Sequence, residues 1–204
     1  MSDTFLDTIY DVDSVDASRA FYDAWAETYD AELLANGYDT PRRCADALAR
    51  YVAERDAPIA ELGCGTGLGG RALKEAGFTT IDGFDLSPEM LNRARDTGAH
   101  RETGPVDLSQ PLCLPEGTYH HAAAIGALTP KTLPPTVFDE ILSILPPGGF
   151  FVFSLNDHAI ADQGFNTRLL ELTELGGADL LSKEHGEHLP GIDLQSTVFV
   201  LRKR

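Results

Sequence analysis

The chain has 204 residues, 43% of them apolar and 24% charged, with a formal net charge of −16. That length suits one domain with a full hydrophobic core, and the composition is that of a globular chain rather than a disordered or fibrous one. The charge repels phosphate backbones and sets DNA and RNA aside, no apolar run approaches a membrane span, and the acidic N-terminus lacks the basic-then-apolar order of a signal peptide.

Residues 1–13 are acidic and without period, which reads as a flexible tail ahead of one domain over 14–204. Ser14 or Asp16 caps a helix running to about Leu34, where Asn36-Gly37 stops it. Phe21, Trp25 and Tyr29 recur every four residues along it, and Tyr22 precedes Trp25 by three, which makes one aromatic face. Pro41 opens a second helix to about Arg55. "PIAEL" (58–62) is a buried strand, followed by a helix over 69–76. "TTIDGFD" (79–85) is the next strand, and "SPEMLNRARDTG" (87–98) a helix with Ser87 as cap, Pro88 first and Gly98 as stop. A short strand over 101–107, an apolar strand over 119–128, an amphipathic helix over 136–145 and the apolar strand "FFVFSLN" (150–156) come next. A helix near 163–176 and strands near 179–184 and 196–202 close the chain, the last two joined by the polar loop "HGEHLPGIDLQ".

Alternating strands and helices imply a parallel sheet with helices on both faces. The final connection has no helix, so it suits an antiparallel hairpin at the sheet edge. The expected fold is α/β: a Rossmann-like, seven-stranded, mostly parallel sheet with an antiparallel C-terminal hairpin. Cys44, Cys64 and Cys113 are odd in number and widely spaced, as in reduced thiols of a cytoplasmic protein. The terminal "RKR" is too short to anchor a nucleic acid.

Ligands of open α/β sheets sit beyond the carboxyl ends of the strands. There the chain reads "ELGCGTGLGG" (61–70), five glycines in ten positions. Such density is justified where the chain turns tightly or a ligand approaches the backbone. Gly65, Gly67 and Gly70 satisfy GxGxxG, the dinucleotide fingerprint. Gly63, Gly65 and Gly67 satisfy the tighter GxGxG, with Glu61 two residues ahead.

"ELGCGTG", then "GFDLSPEML" at the end of the second strand, then "LPPGGFFVFS" before the fifth, resembles the class I methyltransferases that use S-adenosylmethionine. The likeness spans about 58–156 and extends to the N-terminal "YDAWAETYD". It implies that S-adenosylmethionine is the cofactor. On that resemblance, Gly63, Cys64, Gly65, Thr66 and Gly67 let its methionine end approach, and Glu61 holds the ammonium. Asp85 accepts the ribose hydroxyls (a helix cap is its rival role), Leu86 and Met90 pack the adenine, and Asp107 and Leu108 meet its edge. Ile125 and Gly126 line the transferred methyl group, and Tyr29 borders the cofactor from the lead helices, which cap the site over 14–56. The strand end "GALTP" lacks the (D/N)PP-aromatic motif of enzymes that methylate nucleobase or glutamine amino groups. With the acidic charge, this favours a small-molecule acceptor, no nucleic acid and no membrane. Tyr22, Trp25 and Thr129 are expected to border its pocket, and His158, after the fifth strand, is the candidate general base.

The other histidines point to structural or solvated roles. His185 and His188 fall in the polar loop without a third metal ligand, and His120-His121 begins a strand. Two alternatives stay open: a nicotinamide-dependent oxidoreductase, although no tyrosine is followed by a lysine at four, and a non-catalytic binder of the same cofactor. Oligomeric state is not legible.

Overall fold

The computed structural model describes residues 5–9, 12–115 and 117–204. Seven strands form one sheet: β1 (Ile59–Leu62), β2 (Ile81–Asp85), β3 (Glu102–Pro105), β4 (His121–Ala124), β5 (Phe150–Asn156), β6 (Ala178–Leu189) and β7 (Leu194–Lys203), in the order β3-β2-β1-β4-β5-β7-β6. The first five run parallel, and β7 lies antiparallel between β5 and β6. The order reverses at β1, so the carboxyl ends of β1 and β4 flank a crevice.

β5 illustrates how the two layers form. Phe151, Phe153 and Leu155 turn to one face, against α7 (Val137–Ser143) and α9 (Gln163–Glu174) through Phe138 and Phe165. Val152 turns to the other, against Leu48 of α4 (Thr40–Ala49) and Leu73 of α5 (Leu68–Glu75). That period of two, apolar on both sides, is what a strand covered on both faces requires. The helix over 87–98 is α6 (Pro88–Thr97). Ser87 Oγ accepts from Met90 N at 3.1 Å and Gly98 closes it with φ of 62°.

The structure differs from the sequence expectations in three places. The lead helix is broken into α2 (Val15–Trp25) and α3 (Tyr29–Ala35), and Trp25 and Tyr29 still meet in one cluster, with ring centroids 4.6 Å apart. Within the expected tail, Phe5–Thr8 forms a short helix, α1, and the Phe5 ring stacks on Trp25 at 5.8 Å; residues 1–4, 10 and 11 of that tail lie outside the described residues. The polar stretch after residue 184 is not a long loop. β6 and β7 continue as a paired ribbon through it, down to a tight turn at Pro190–Ile192. His188 is therefore buried rather than solvated. A further short helix, α8 (Asp157–Ile160), follows β5, capped by Asn156.

Candidate active site

β1 ends at Leu62, and the chain turns through Gly63, Gly65 and Gly67 with φ of 72°, 53° and 94°. Only glycine takes that region without strain. The three do different work. A Cβ on Gly63 would lie 2.4 Å from Ala127 Cβ, so the loop is pressed against the end of β4. A Cβ on Gly65 would meet no protein atom within 4 Å. Gly65 therefore faces open space, and its N–H donates to Asp85 Oδ2 at 2.8 Å. Gly67 is the left-handed cap of α5, and a Cβ on it would meet Ala94 and Thr97 of α6, while its neighbours Thr66 and Leu68 line the cavity.

Gly69 and Gly70 have another reason. A Cβ on Gly69 would come 2.0 Å from Glu61 Oε1, and one on Gly70 2.5 Å from His100 Nε2. They admit a buried pair beneath the first turn of α5. Glu61 Oε2 lies 2.6 Å from His100 Nε2. Burial raises the Glu61 pKa, and the hydrogen bond and charge of His100 pull it back. Asp85 is raised by burial in the same way, while the N–H groups of Ser87, Gly65 and Leu86 oppose the shift. Its Oδ1 accepts from Ser87 N at 2.9 Å, but the helix cap proper is Ser87.

Glu61, Gly65 and Asp85 line one cavity with Tyr22, Tyr29, Gly63, Cys64, Thr66, Leu86, Met90, Asp107, Leu108, Ile125, Gly126 and Thr129. Two carboxylates of the lead helices clasp it: Asp30 accepts from Thr66 Oγ1 and Asp23 from Ser87 Oγ, each at 2.5 Å. Both were missed in the sequence, as was Tyr38, whose hydroxyl would be 2.4 Å from a Cβ on Gly126. The helix stop Asn36-Gly37, just ahead of Tyr38, was the one local signal that the chain turns back there.

A second cavity, about 360 Å³, opens beside the first. Tyr22, Tyr29, Tyr38, Gly126 and Thr129 border both. Trp25 and His158 border only the second, His158 from its exposed rim on α8. His120 and His121 lie at the amino end of β4, away from both; His121 Nδ1 accepts from Phe150 N at 3.2 Å.

A family model for the methyltransferase domain matches residues 37–196. The chain belongs to the methyltransferase domain family. The human methyltransferase-like protein 27 is 36% identical over 132 residues, 63% of this chain and 54% of that protein, so the chain spans about half the length of that curated relative. Among solved structures, a TehB-like SAM-dependent methyltransferase from Corynebacterium glutamicum superposes with a TM-score of 0.63 at 23% identity, over 91% of this chain and 99% of that one. A chain of the Haloferax volcanii complex between the Trm112 methyltransferase activator and a methyltransferase candidate gives a TM-score of 0.66 at 19% identity, over 91% and 98%. In family the chain is a methyltransferase domain, and in fold it is similar to S-adenosylmethionine-dependent methyltransferases. The methyltransferase cavity fits that cofactor on its own terms. It offers an open side at Gly65, buried carboxylates in Glu61 and Asp85, and apolar walls in Leu86, Met90 and Ile125. No helix among the described residues is long and apolar enough to cross a membrane.

Proposed function

We propose that the protein transfers a methyl group from S-adenosylmethionine to a small-molecule acceptor held in the second cavity. The observation that carries this reading is the shared border of the two cavities at Tyr22, Tyr29, Tyr38, Gly126 and Thr129. A volume of about 360 Å³ is that of a small-ligand pocket, not a macromolecular groove.

The cofactor supplies an electrophilic methyl group on a sulfonium. The chain's residues do the rest. Glu61 offers a carboxylate to the ammonium, and Asp85, braced by two backbone N–H groups, offers its remaining lone pairs to the ribose. Leu86 and Met90 provide the apolar wall for the adenine, with Asp107 and Leu108 at its edge. The clasps from Asp23 and Asp30 close the lead helices over the site and exclude water. Tyr29 and Tyr38 keep their hydroxyls protonated, because burial raises both pKa values. Alignment at the shared border is then the main catalytic effect. His158 is the candidate base for an acceptor that must lose a proton.

S-adenosylhomocysteine and NAD are the test ligands. The homocysteine ligand should raise the melting temperature and NAD should not; a shift with NAD alone overturns the reading. Labelled-methyl turnover on a library of small acceptors separates an enzyme from a non-catalytic binder.

A further inference from the structure

The second cavity holds a buried histidine that the proposed transfer does not use. His188, near the end of β6, lines it and is 8% exposed. Its Nδ1 lies 2.7 Å from Thr40 Oγ1, at the start of α4. Thr40 Oγ1 lies 2.9 Å from Ser196 Oγ on β7, and Ser196 Oγ accepts from Arg43 Nη1 at 3.0 Å. Thr40 and Ser196 are both fully buried.

The hydrogens of this chain of contacts can be assigned. A guanidinium only donates. Ser196 therefore accepts from Arg43, and its own hydrogen goes to Thr40. Thr40 in turn donates to His188 Nδ1. The reverse polarity would leave the Ser196 hydrogen buried without an acceptor among the described residues, against the general pairing of buried donors. A neutral imidazole that accepts at Nδ1 carries its proton at Nε2. Nε2 has no partner among the described residues, yet it is not one of the sealed, unpartnered atoms. The His188 ring itself lines the second cavity. Burial holds the imidazole neutral down to about 4, with Arg43 adding to the shift and Asp157 opposing it. The rings of Tyr38 and His188 meet edge to face with centroids 5.2 Å apart, and Lys131, His158 and Asp162 border the same cavity.

We propose that the Nε2–H of His188 determines acceptor specificity, by donating to a carbonyl or carboxylate oxygen on a flat acceptor held among Tyr22, Trp25 and Tyr29. The proposal rests on the methyl-transfer reading for the use of this cavity. It adds a chemical class: the acceptor presents an oxygen lone pair to a neutral, fixed donor, and its ring lies against aromatic walls. His188 is a binding residue here, not a base, because its only free nitrogen already bears a proton.

The test uses the full chain saturated with S-adenosylhomocysteine. Thermal shift with that ligand reports on the cofactor reading and does not involve His188. Imidazole nitrogen NMR should find His188 in the Nε2-protonated form at pH 7; the Nδ1-protonated form overturns the proposal. Benzoate, benzamide and benzylamine are then titrated against the fluorescence of Trp25, the only tryptophan of the chain. Benzoate or benzamide should bind saturably, which of them separating carboxylate from carbonyl, and benzylamine should not. His188→Phe should weaken that binding at least tenfold, and His188→Gln, which returns an N–H donor, should recover most of it. No binding of either oxygen probe to the native chain, or unchanged affinity in His188→Phe, overturns the proposal. The NMR result on the native chain decides even if the variant fails to fold.

Discussion

His100 Nε2 stands 2.6 Å from Glu61 Oε2, and both side chains are 1% exposed. The two come from the segment before β3 and from β1, 39 residues apart. Gly69, Gly70 and Gly83 all lack a Cβ where one would strike this pair, at 2.0, 2.5 and 2.7 Å. The glycine density of the loop thus has two causes. Gly63 and Gly65 shape the cavity, while Gly69 and Gly70 make room for the buried hydrogen bond between Glu61 and His100.

The first prediction follows from that pair. Removing one partner of a buried hydrogen bond leaves the other's polar atoms unsatisfied, at a cost of about 1–3 kcal/mol. His100→Leu should lower stability by about that amount and weaken S-adenosylhomocysteine binding, since Glu61 would neutralise. Adding Glu61→Gln should restore part of the stability but not the binding. Urea unfolding and calorimetric titration of the single and double variants check this. Additive losses in stability would contradict a coupled pair.

Asp85 offers a second. It accepts from Gly65 N and Ser87 N and keeps lone pairs for the ribose hydroxyls. A hydrogen bond to a charged group contributes roughly 1.5–3 kcal/mol. Asp85→Ala should lower S-adenosylhomocysteine affinity at least tenfold, measured by calorimetry. Unchanged affinity would reduce Asp85 to a brace for the turn.

The two glycines should separate folding from binding. Gly63→Ala forces a methyl group to 2.4 Å from Ala127 Cβ and should destabilise the chain. Gly65→Ala meets no protein atom within 4 Å, so its cost is the positive φ, about 1–2 kcal/mol. The Gly65→Ala chain should stay folded by circular dichroism and lose cofactor-ligand binding. Full binding in it would make the open side of Gly65 irrelevant to the ligand.

A fourth prediction concerns pH. Burial lowers both His121 and His188 from 6.5 to about 4. Between those values the unfolded chain binds protons that the folded chain refuses. Stability is therefore full above about pH 6.5 and falls as pH drops toward 4, by on the order of 3 kcal/mol for each histidine. Melting temperatures of the native chain and of His121→Gln across pH 4–8 check the sign. The variant should show a shallower acid limb, and an equal slope would remove His121 from the account.

Much of the scaffold was legible because its causes are local. Hydrophobic period, the cap at Ser87, the stop at Gly98 and the glycine run each act within a few residues, so the succession of strands and helices along the chain, the limits of α6 and the position of the loop could be read directly. The motif order carried the family for the same reason. What folding decided is contact between distant segments. Gly67 has the same sequence signature as Gly65, but α6 packs against it while Gly65 faces open space. The lead helix had an unbroken aromatic period, yet the chain turns between Trp25 and Tyr29. His188 stood in a polar stretch with no apolar period. It became a buried neutral donor because β6 and β7 pair through that stretch and bring Ser196 and Thr40 beside it. Charge state and hydrogen-bond polarity depend on burial and on partners far along the chain, and these exist only once the sheet and its helices have closed on one another.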